Sequence, residues 1–334
     1  MLKAILSGRL KMVDLTGTND VPKGCTAVAM GLFDGLHYGH RTVIRYAIDI
    51  AEQNAGIYPA VFTFDTASVT SKGAGGVECI LSRDMKFELM DELGVKYVYS
   101  PDFMNFKDLS GEDFAELVLC GKLSAKFAVC GEDFRFGKGA QCGVAELDKL
   151  CRKHGIRLYV VPPVTELNGI RISSTMIRGL IRDGDIETAN MLLGSHFSFK
   201  LPVAYGRQLG RTLDFPTINQ YLPKRQVMPK FGVYASKTDI GGRVYRSITN
   251  IGVKPTVGSD APLAETYIIG FDGSDLYGET VKVSLISFIR PEMKFDGVEE
   301  LKNRIALDTE EVIRLPEERY CTVKKRAWNI SERN

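Results

Sequence analysis

The feature that most limits the folds open to this chain is a change in its hydrophobic pattern near residue 194. Before that point, short apolar runs such as 26–30 (TAVAM) and 58–64 (YPAVFTF) alternate with segments whose apolar residues recur at helical spacing. After it, apolar and polar residues alternate at every second position, and helical spacing returns only from residue 298. A length of 334 residues suits two domains, and the pattern places them at residues 1–194 and 199–334.

The order of strands and helices in the first part indicates one fold class. Helical segments between consecutive apolar strands predict a parallel, doubly wound α/β sheet of the Rossmann-like type. In such a sheet, ligands bind beyond the carboxyl ends of the strands. A capping-box pattern at residues 110–113 (SGED) marks the start of one of the connecting helices.

The second part contains strong hairpin signals. Gly241 and Gly242 separate two runs of alternating polarity, and a second pair of such runs flanks residues 272–279 (DGSDLYGE). A stripe of apolar residues at helical spacing follows at 298–315. This order predicts a small β-barrel that is closed by a C-terminal helix.

Composition and charge argue against several classes of protein. The formal net charge is only +2, which gives no reason to expect nucleic acid or an anionic membrane as a partner. The seven cysteines are scattered and include no C-x-x-C pair, so neither a zinc site nor a disulfide framework is expected. The chain contains no apolar run of membrane length and no signal-peptide pattern at its start. We therefore expect a cytoplasmic protein that binds small molecules, whose oligomeric state these features do not predict.

Two of the four histidines, His37 and His40, lie in one glycine-rich stretch, residues 31–40 (GLFDGLHYGH). This stretch follows a predicted strand and precedes a predicted helix. The start of a helix offers unpaired N–H groups and the positive end of the helix dipole, and two imidazoles there can donate to phosphate oxygens. A metal site is less favoured, because no third ligand pattern lies nearby in the sequence. The stretch therefore predicts a phosphate-binding turn.

This histidine turn resembles the H-x-G-H signature of nucleotidylyltransferases, which transfer a nucleoside monophosphate and release pyrophosphate. A second motif of that family is present at 171–178 (RISSTMIR), where hydroxyls and arginines suit the pyrophosphate part of ATP. A third stretch, 131–137 (GEDFRFG), resembles the branch that adenylates flavin mononucleotide (FMN). The resemblance implies that His37 and His40 are catalytic, stabilising charge on the transferring phosphate and the leaving pyrophosphate. It implies ATP-binding residues at Gly31, Phe33, Asp34, Gly35, His37, His40, Asp133, Arg171, Ser174, Thr175 and Arg178.

In the second part, residues 206–219 (GRQLGRTLDFPTIN) resemble the riboflavin kinase module, and further parts of that pattern follow in order as far as residue 295. On a strand, Thr217 and Asn219 face the same side, and their hydroxyl and amide oxygens suit Mg²⁺ carried by ATP. The resemblance implies that Glu265 is the general base that takes the proton from the riboflavin 5′-hydroxyl. It implies kinase ATP-binding residues Gly206, Leu209, Gly210, Arg211, Thr217 and Asn219, and flavin-binding residues Arg290 and Phe295.

With both modules present, the chain resembles the bacterial bifunctional riboflavin kinase/FAD synthetase family. The resemblance implies that riboflavin is phosphorylated by ATP to FMN, and that FMN is then adenylated by ATP to FAD and pyrophosphate, with Mg²⁺ bound to ATP. Two alternatives stay open. The histidine turn alone also fits cytidylyl transfer or other adenylyl transfer. Asp133, which often is Asn in the family, and the absence of the family's Pro-His-Pro turn after Asp65 leave open an active kinase with a decayed, flavin-binding or regulatory first domain.

Overall fold

A computed structural model of the chain describes residues 11–65, 78–165, 171–205, 215–253, 262–272 and 275–321. The chain divides into two compact units, Met1–Ser173 (unit 1) and Ser174–Asn334 (unit 2). The boundary between the units lies before the two helices at 174–183 and 186–193, whereas the sequence pattern places the domain boundary after them. The domain limits of 1–194 and 199–334 therefore stay a prediction about where each catalytic domain ends.

Unit 1 is built on a six-stranded sheet in which every pairing is parallel. The strand order is β1-β4-β3-β2-β5-β6. After β2, the chain adds β3 and β4 on one side of β2 and then β5 and β6 on the other side, so the direction of strand addition reverses between β2 and β5. The carboxyl ends of β2 and β5 therefore border the crevice where a doubly wound sheet binds its ligands. The strands are β1 Val13–Asp14, β2 Cys25–Met30, β3 Ile57–Phe62, β4 Tyr97–Tyr99, β5 Ala125–Gly131 and β6 Arg157–Val161.

Helices connect these strands and bury their apolar faces on the sheet. Helix α2 begins after Ser82, whose Oγ accepts from Met85 N at 3.4 Å, and it ends at Gly94, which adopts a left-handed conformation with φ of 103°. The helices of unit 1 are α1 Tyr38–Gln53, α2 Arg83–Leu93, α3 Gly111–Asp113 and α4 Val144–Lys153, and α3 continues directly as a π-helix, Phe114–Lys122.

Unit 2 opens with two helices and continues as an antiparallel sheet of order β7-β12-β9-β10-β11-β8. A bridge between Ala204 and Asn219 joins the two outer strands, so the sheet is nearly a closed barrel. The predicted fold class, a doubly wound parallel sheet followed by a small barrel with a C-terminal helix, is confirmed. The elements are α5 Ser174–Asp183, α6 Ile186–Leu193, β7 Ser198–Pro202, β8 Thr217–Tyr221, β9 Gly232–Ile240, β10 Arg243–Val253, β11 Pro262–Ile268, β12 Thr280–Arg290, α7 Val298–Arg314 and α8 Glu317–Tyr320.

The two faces of the barrel strands differ in chemistry. On one face, buried hydroxyls bond to each other across strands: Ser236 Oγ lies 2.8 Å from Thr249 Oγ1, which lies 2.9 Å from Thr266 Oγ1. Because successive residues of a strand point to opposite faces, the neighbours Asn250 and Glu265 point the other way. This alternation presents a carboxylate and an amide on the face that forms the site described below.

The hairpin predicted at Gly241 and Gly242 is confirmed. The two residues have φ values of 60° and 87° and connect β9 to β10. Positive φ at both central positions is what a two-residue hairpin turn requires, and glycine adopts it without steric cost. The second hairpin, predicted around residues 272–279, is wrong: β11 pairs with β10 and β8, whereas β12 pairs with β9 and β7, so this connection crosses between strands that are not neighbours. Across the described ranges, no helix combines the length and the apolar character that a membrane span requires.

Candidate active sites

The histidine turn of unit 1 leaves β2 at Met30 and enters α1 at Tyr38. Its backbone is tightly coiled, because Phe33, Gly35 and Leu36 all have positive φ, at 52°, 84° and 46°. Left-handed conformations are costly for residues other than glycine, and such strain persists where surrounding packing enforces it. Here the side chains of Phe33 and Leu36 are fully buried, so the core anchors the strained turn.

The other predicted residues of this turn stabilise its backbone. A Cβ at Gly31 would lie 2.9 Å from the ring of Phe33, so only glycine lets that ring pack against the backbone. Asp34 is buried, and its Oδ1 accepts from Ile80 N at 2.9 Å. The structure thus brings Gly31, Phe33, Asp34 and Gly35 together as the frame of the turn.

The two histidines occupy the first turn of α1. His37 caps the helix, with Nδ1 accepting from His40 N at 3.4 Å, and the two rings stack with centroids 3.6 Å apart. Because Nδ1 accepts a hydrogen bond, the neutral imidazole of His37 carries its proton on Nε2. A donor nitrogen is therefore held at the positive end of the helix dipole, which favours an anionic ligand.

Asp133 and Arg171 are brought together by the structure. Arg171 Nη2 lies 2.5 Å from Asp133 Oδ2, which follows β5 in the chain. The segment that carries Arg171 is bonded to the residues after β6, through Ile172 N and Val164 O at 3.2 Å. A Cβ placed on Gly39, between the two histidines, would lie 4.0 Å from Val164 Cβ, so this segment adjoins the histidine turn.

The remaining predicted residues of this ATP site, Ser174, Thr175 and Arg178, open unit 2 in the first turns of α5. Serine and threonine hydroxyls at a helix start can serve as donors or acceptors for phosphate. Their part in ATP binding stays a prediction.

Unit 2 contains a cavity of about 250 Å³ between one face of the barrel and α7. Three strands place polar residues in one row: the predicted residues Glu265 on β11 and Asn219 on β8 lie directly opposite each other, and Asn250 on β10, which was not predicted, lies opposite Glu265 on its other side. Thr217 is two residues before Asn219 and therefore shares its face. Of these residues, Thr217, Asn250 and Glu265 line the cavity, and Asn219 is buried beside it.

The far wall of the cavity carries Arg290 and Phe295, with the guanidinium 5.8 Å from the centre of the ring. The head of Arg290 is bound to Asp308 of α7, with Nη2 2.7 Å from Oδ2. Arg304 Nη2 lies 2.8 Å from the other oxygen of the same carboxylate. The rest of the wall is mainly apolar, with Phe215, Ile248, Tyr267, Leu301 and Ile305.

Sequence reasoning missed Asp308 and Glu292, which also line the cavity. Asp308 lies four residues after Arg304 on a helix, which is the spacing of an ordinary surface ion pair, so nothing in the pattern marked it as buried. Four residues of the predicted kinase ATP site, Gly206, Leu209, Gly210 and Arg211, lie outside the described residues.

Fold and sites together define a transferase with two phosphate-handling units, one of nucleotidylyltransferase type and one a barrel with a carboxylate in its cavity. A FAD synthetase family model matches residues 20–176, and a riboflavin kinase family model matches residues 193–315. The chain belongs to the bifunctional riboflavin kinase/FMN adenylyltransferase family. The presence of both domains favours two activities over an active kinase with a decayed partner domain.

Similar proteins of that name cover most of the chain. The protein of Bacillus subtilis (strain 168) is 35% identical over 296 residues, which are 86% of this chain and 92% of that relative. The protein of Escherichia coli (strain K12) is 33% identical over 289 residues, 86% of this chain and 91% of the relative. A crystal structure described as a macrolide-efflux protein from Streptococcus pneumoniae has a TM-score of 0.80 at 29% identity, covering 91% of this chain and 100% of its own.

Proposed function

We propose that unit 2 phosphorylates riboflavin with ATP to give FMN and ADP, and that unit 1 adenylates FMN with a second ATP to give FAD and pyrophosphate. The observation that carries this proposal is the row formed by Asn219, Glu265 and Asn250 along a cavity with an apolar wall. An apolar wall suits a flat ring system, and the polar row suits a hydroxyl that is to be phosphorylated.

In the kinase reaction, the Glu265 carboxylate takes the proton of the riboflavin 5′-hydroxyl while that oxygen attacks the γ-phosphorus of ATP. The new P–O bond forms as the bond to the β-phosphate oxygen breaks, and ADP leaves. Phe295 and Arg290 form the wall that holds the flavin ring. These roles rest on the position of the residues around the cavity.

Magnesium suits the donors of this site. The Thr217 hydroxyl and the Asn219 amide oxygen are hard oxygen ligands on one face of β8, which is the chemistry that Mg²⁺ prefers. We propose that these two residues hold Mg²⁺ together with ATP. The ion supplies positive charge that offsets the charge of the phosphates.

In the adenylyl transfer, an FMN phosphate oxygen attacks the α-phosphorus of ATP and the bond to the β-phosphate oxygen breaks. The nucleophile is already an anion, so positioning and charge stabilisation carry the catalysis. His37 and His40 donate to the transferring phosphate and the leaving pyrophosphate. Arg171, Ser174, Thr175 and Arg178 bind the rest of the ATP phosphates.

We place both reactions in the cytoplasm, with small molecules as the partners rather than nucleic acid or membrane. All seven cysteines are unpaired, as is usual in a reducing compartment. Burial raises the pKa of the Cys130 and Cys151 thiols to about 12, which keeps them protonated and unreactive.

Two variants separate the two reactions, with flavins resolved by chromatography over time. The His40→Ala protein should accumulate FMN from riboflavin and ATP while FAD synthesis falls about 10²–10³-fold, because a donor to the transition state is lost. The Glu265→Gln protein should form no FMN from riboflavin but should still convert supplied FMN to FAD. The exposed Glu311→Gln change on α7 is the matched control. Unchanged FAD formation in the first variant, or FMN formation in the second, would remove the assigned role.

A further inference from the structure

A buried ammonium lies directly beneath the histidine turn. Lys86, on α2, is only 1% exposed, although lysine is almost never fully buried without partners. Its Nζ donates to the backbone oxygen of Phe64 at 2.8 Å, to Thr63 Oγ1 at 3.3 Å and to the backbone oxygen of Leu32 at 3.4 Å. One side chain therefore serves three acceptors from two segments of the chain.

These two segments continue neighbouring strands of the sheet. Leu32 follows β2 and belongs to the histidine turn, whereas Thr63 and Phe64 follow β3. The regular pairing of the two strands ends at Met30 and Phe62. Thr63 Oγ1 also donates to the Leu32 oxygen at 2.8 Å, so the ammonium completes a small network that fastens the start of the turn to the end of β3.

Charged and titratable groups from each neighbouring segment act on Lys86. Asp34 comes from the histidine turn, Asp65 from the segment after β3, Cys79 from the segment before α2, and Arg83 from α2 itself. Burial lowers the pKa of Lys86 to about 8, while Asp34 and Asp65 oppose that change. The group is therefore mostly an ammonium at neutral pH and loses its proton in mildly alkaline solution.

We propose that Lys86 is a positioning residue for adenylyl transfer, whose ammonium fixes the histidine turn against β3 and so sets the place of His37 and His40 relative to ATP. The inference rests on the proposed roles of those two histidines. An apolar side chain would fill the same space without the cost of burying a charge, so packing alone does not call for lysine here. Displacements of about 1 Å in a phosphate-transfer site can lower rates by about 10²-fold.

The test compares FAD synthesis from supplied FMN with riboflavin phosphorylation in the same full-length chain. In Lys86→Met, kcat/KM for FAD synthesis should fall about 10²-fold, whereas the kinase rate should change less than twofold. Lys149→Met, on the exposed side of α4, is the matched control and should leave both rates unchanged. The wild-type rate of FAD synthesis should decline as the pH rises through about 8, and the kinase rate should show no such decline.

Lys86→Arg provides the rescue, because a guanidinium stays protonated throughout this range. Its FAD synthesis should persist to pH 9. Wild-type kinetics in Lys86→Met, a flat wild-type profile between pH 7 and 9, or a parallel loss of both reactions would each overturn the inference. If Lys86→Met does not fold, the difference between the wild-type and Lys86→Arg profiles from pH 7 to 9 decides the matter. A wild-type chain that makes no FAD at all would instead contradict the proposed function.

Discussion

Asp133 and Arg171, two of the proposed ATP ligands of unit 1, neutralise each other in the structure. Their side chains are 65% and 52% exposed, and an ion pair this open to water contributes only about 0–1 kcal/mol. A triphosphate carries more charge than one carboxylate and can replace it on the guanidinium. We therefore expect Asp133 to compete weakly with ATP for Arg171.

Replacing Asp133 by Asn should relieve this competition. The KM for ATP in FAD synthesis should fall by up to about fivefold, the factor that corresponds to the full worth of an exposed pair. Initial rates at saturating FMN measure the change. Asp148→Asn, which breaks the exposed pair with Arg152 on α4, should leave this KM unchanged. A higher KM in Asp133→Asn would mean that the carboxylate itself contributes to binding.

Among single residues, those that could be predicted from the sequence are the ones whose residue type and spacing indicate a local backbone conformation. His37 and His40 mark a helix start, and Thr217 and Asn219 share a strand face, because each pattern depends only on neighbours in the chain. Lys86 could not be found in this way. The buried positions of α2 are Met85, Lys86 and Met90, and helical spacing does not show that a charged residue among them faces the interior.

At the level of single elements, the Asp308 carboxylate is one of the groups that bind α7 to the barrel, together with the bonds from Arg246 of β10 to Val312 O and Ile313 O. The Asp308 side chain is 2% exposed and lies between Arg290 at the end of β12 and Arg304 of its own helix. The cavity of unit 2 has α7 as one wall, through Leu301 and Ile305. The ion pairs of Asp308 therefore hold that wall in place.

Asp308→Asn should loosen this wall. Removing one partner of a buried ion pair costs about 3–5 kcal/mol, because the remaining charge is left uncompensated. The KM for riboflavin should rise and the melting temperature of unit 2 should fall, while FAD synthesis from supplied FMN should persist. Steady-state kinetics and calorimetry measure the three quantities.

The control for this prediction is Glu310→Gln, which breaks an exposed pair with Arg314 on the same helix and should change none of the three quantities. A wild-type KM for riboflavin in Asp308→Asn would show that the ion pairs do not shape the cavity.

Most elements of unit 1 could be predicted from apolar spacing and caps, but the form of one helix could not. The predicted cap at Ser110 is present, with Asp113 N donating to Ser110 Oγ at 3.0 Å. The helix then widens to a π-helix, closed by a bond from Leu123 N to Val118 O at 2.9 Å. Side chains at helical spacing fit α- and π-turns alike, so the hydrogen bonds of a π-helix cannot be predicted from the sequence pattern.

For the whole molecule, the change of hydrophobic pattern predicted two folds, and the domain limits of 1–194 and 199–334 stay a prediction. The apolar spacing of α5 and α6 predicts helices but does not indicate to which unit they belong. The structure assigns them to unit 2, where Asn190 Nδ2 donates to Leu285 O at 2.9 Å and Asn190 Oδ1 accepts from Phe197 N at 2.6 Å. The bond to Leu285 O joins residues 95 positions apart, so it cannot be inferred from local patterns.

Unit 2 also carries a group that should make it sensitive to acid. His196 Nε2 lies 3.0 Å from Arg319 O and donates to it. Burial, together with the neighbouring Lys237 and Lys282, lowers the pKa of His196 to about 4, although the bond to Arg319 O opposes the change. In the unfolded chain the same group titrates near 6.5.

Between about pH 6.5 and pH 4, His196 is therefore protonated in the unfolded state but neutral in the folded state. The free energy of unfolding of unit 2 decreases as the pH falls through this range. The full loss amounts to roughly 3 kcal/mol, at 1.36 kcal/mol for each pH unit. In His196→Gln, which keeps a side-chain donor for Arg319 O, the melting temperature of unit 2 should depend less on pH between 7 and 4.5. Calorimetry of the full chain measures this, with His154→Gln in unit 1 as the matched control. An equal acid sensitivity in wild type and His196→Gln would assign the effect to other groups.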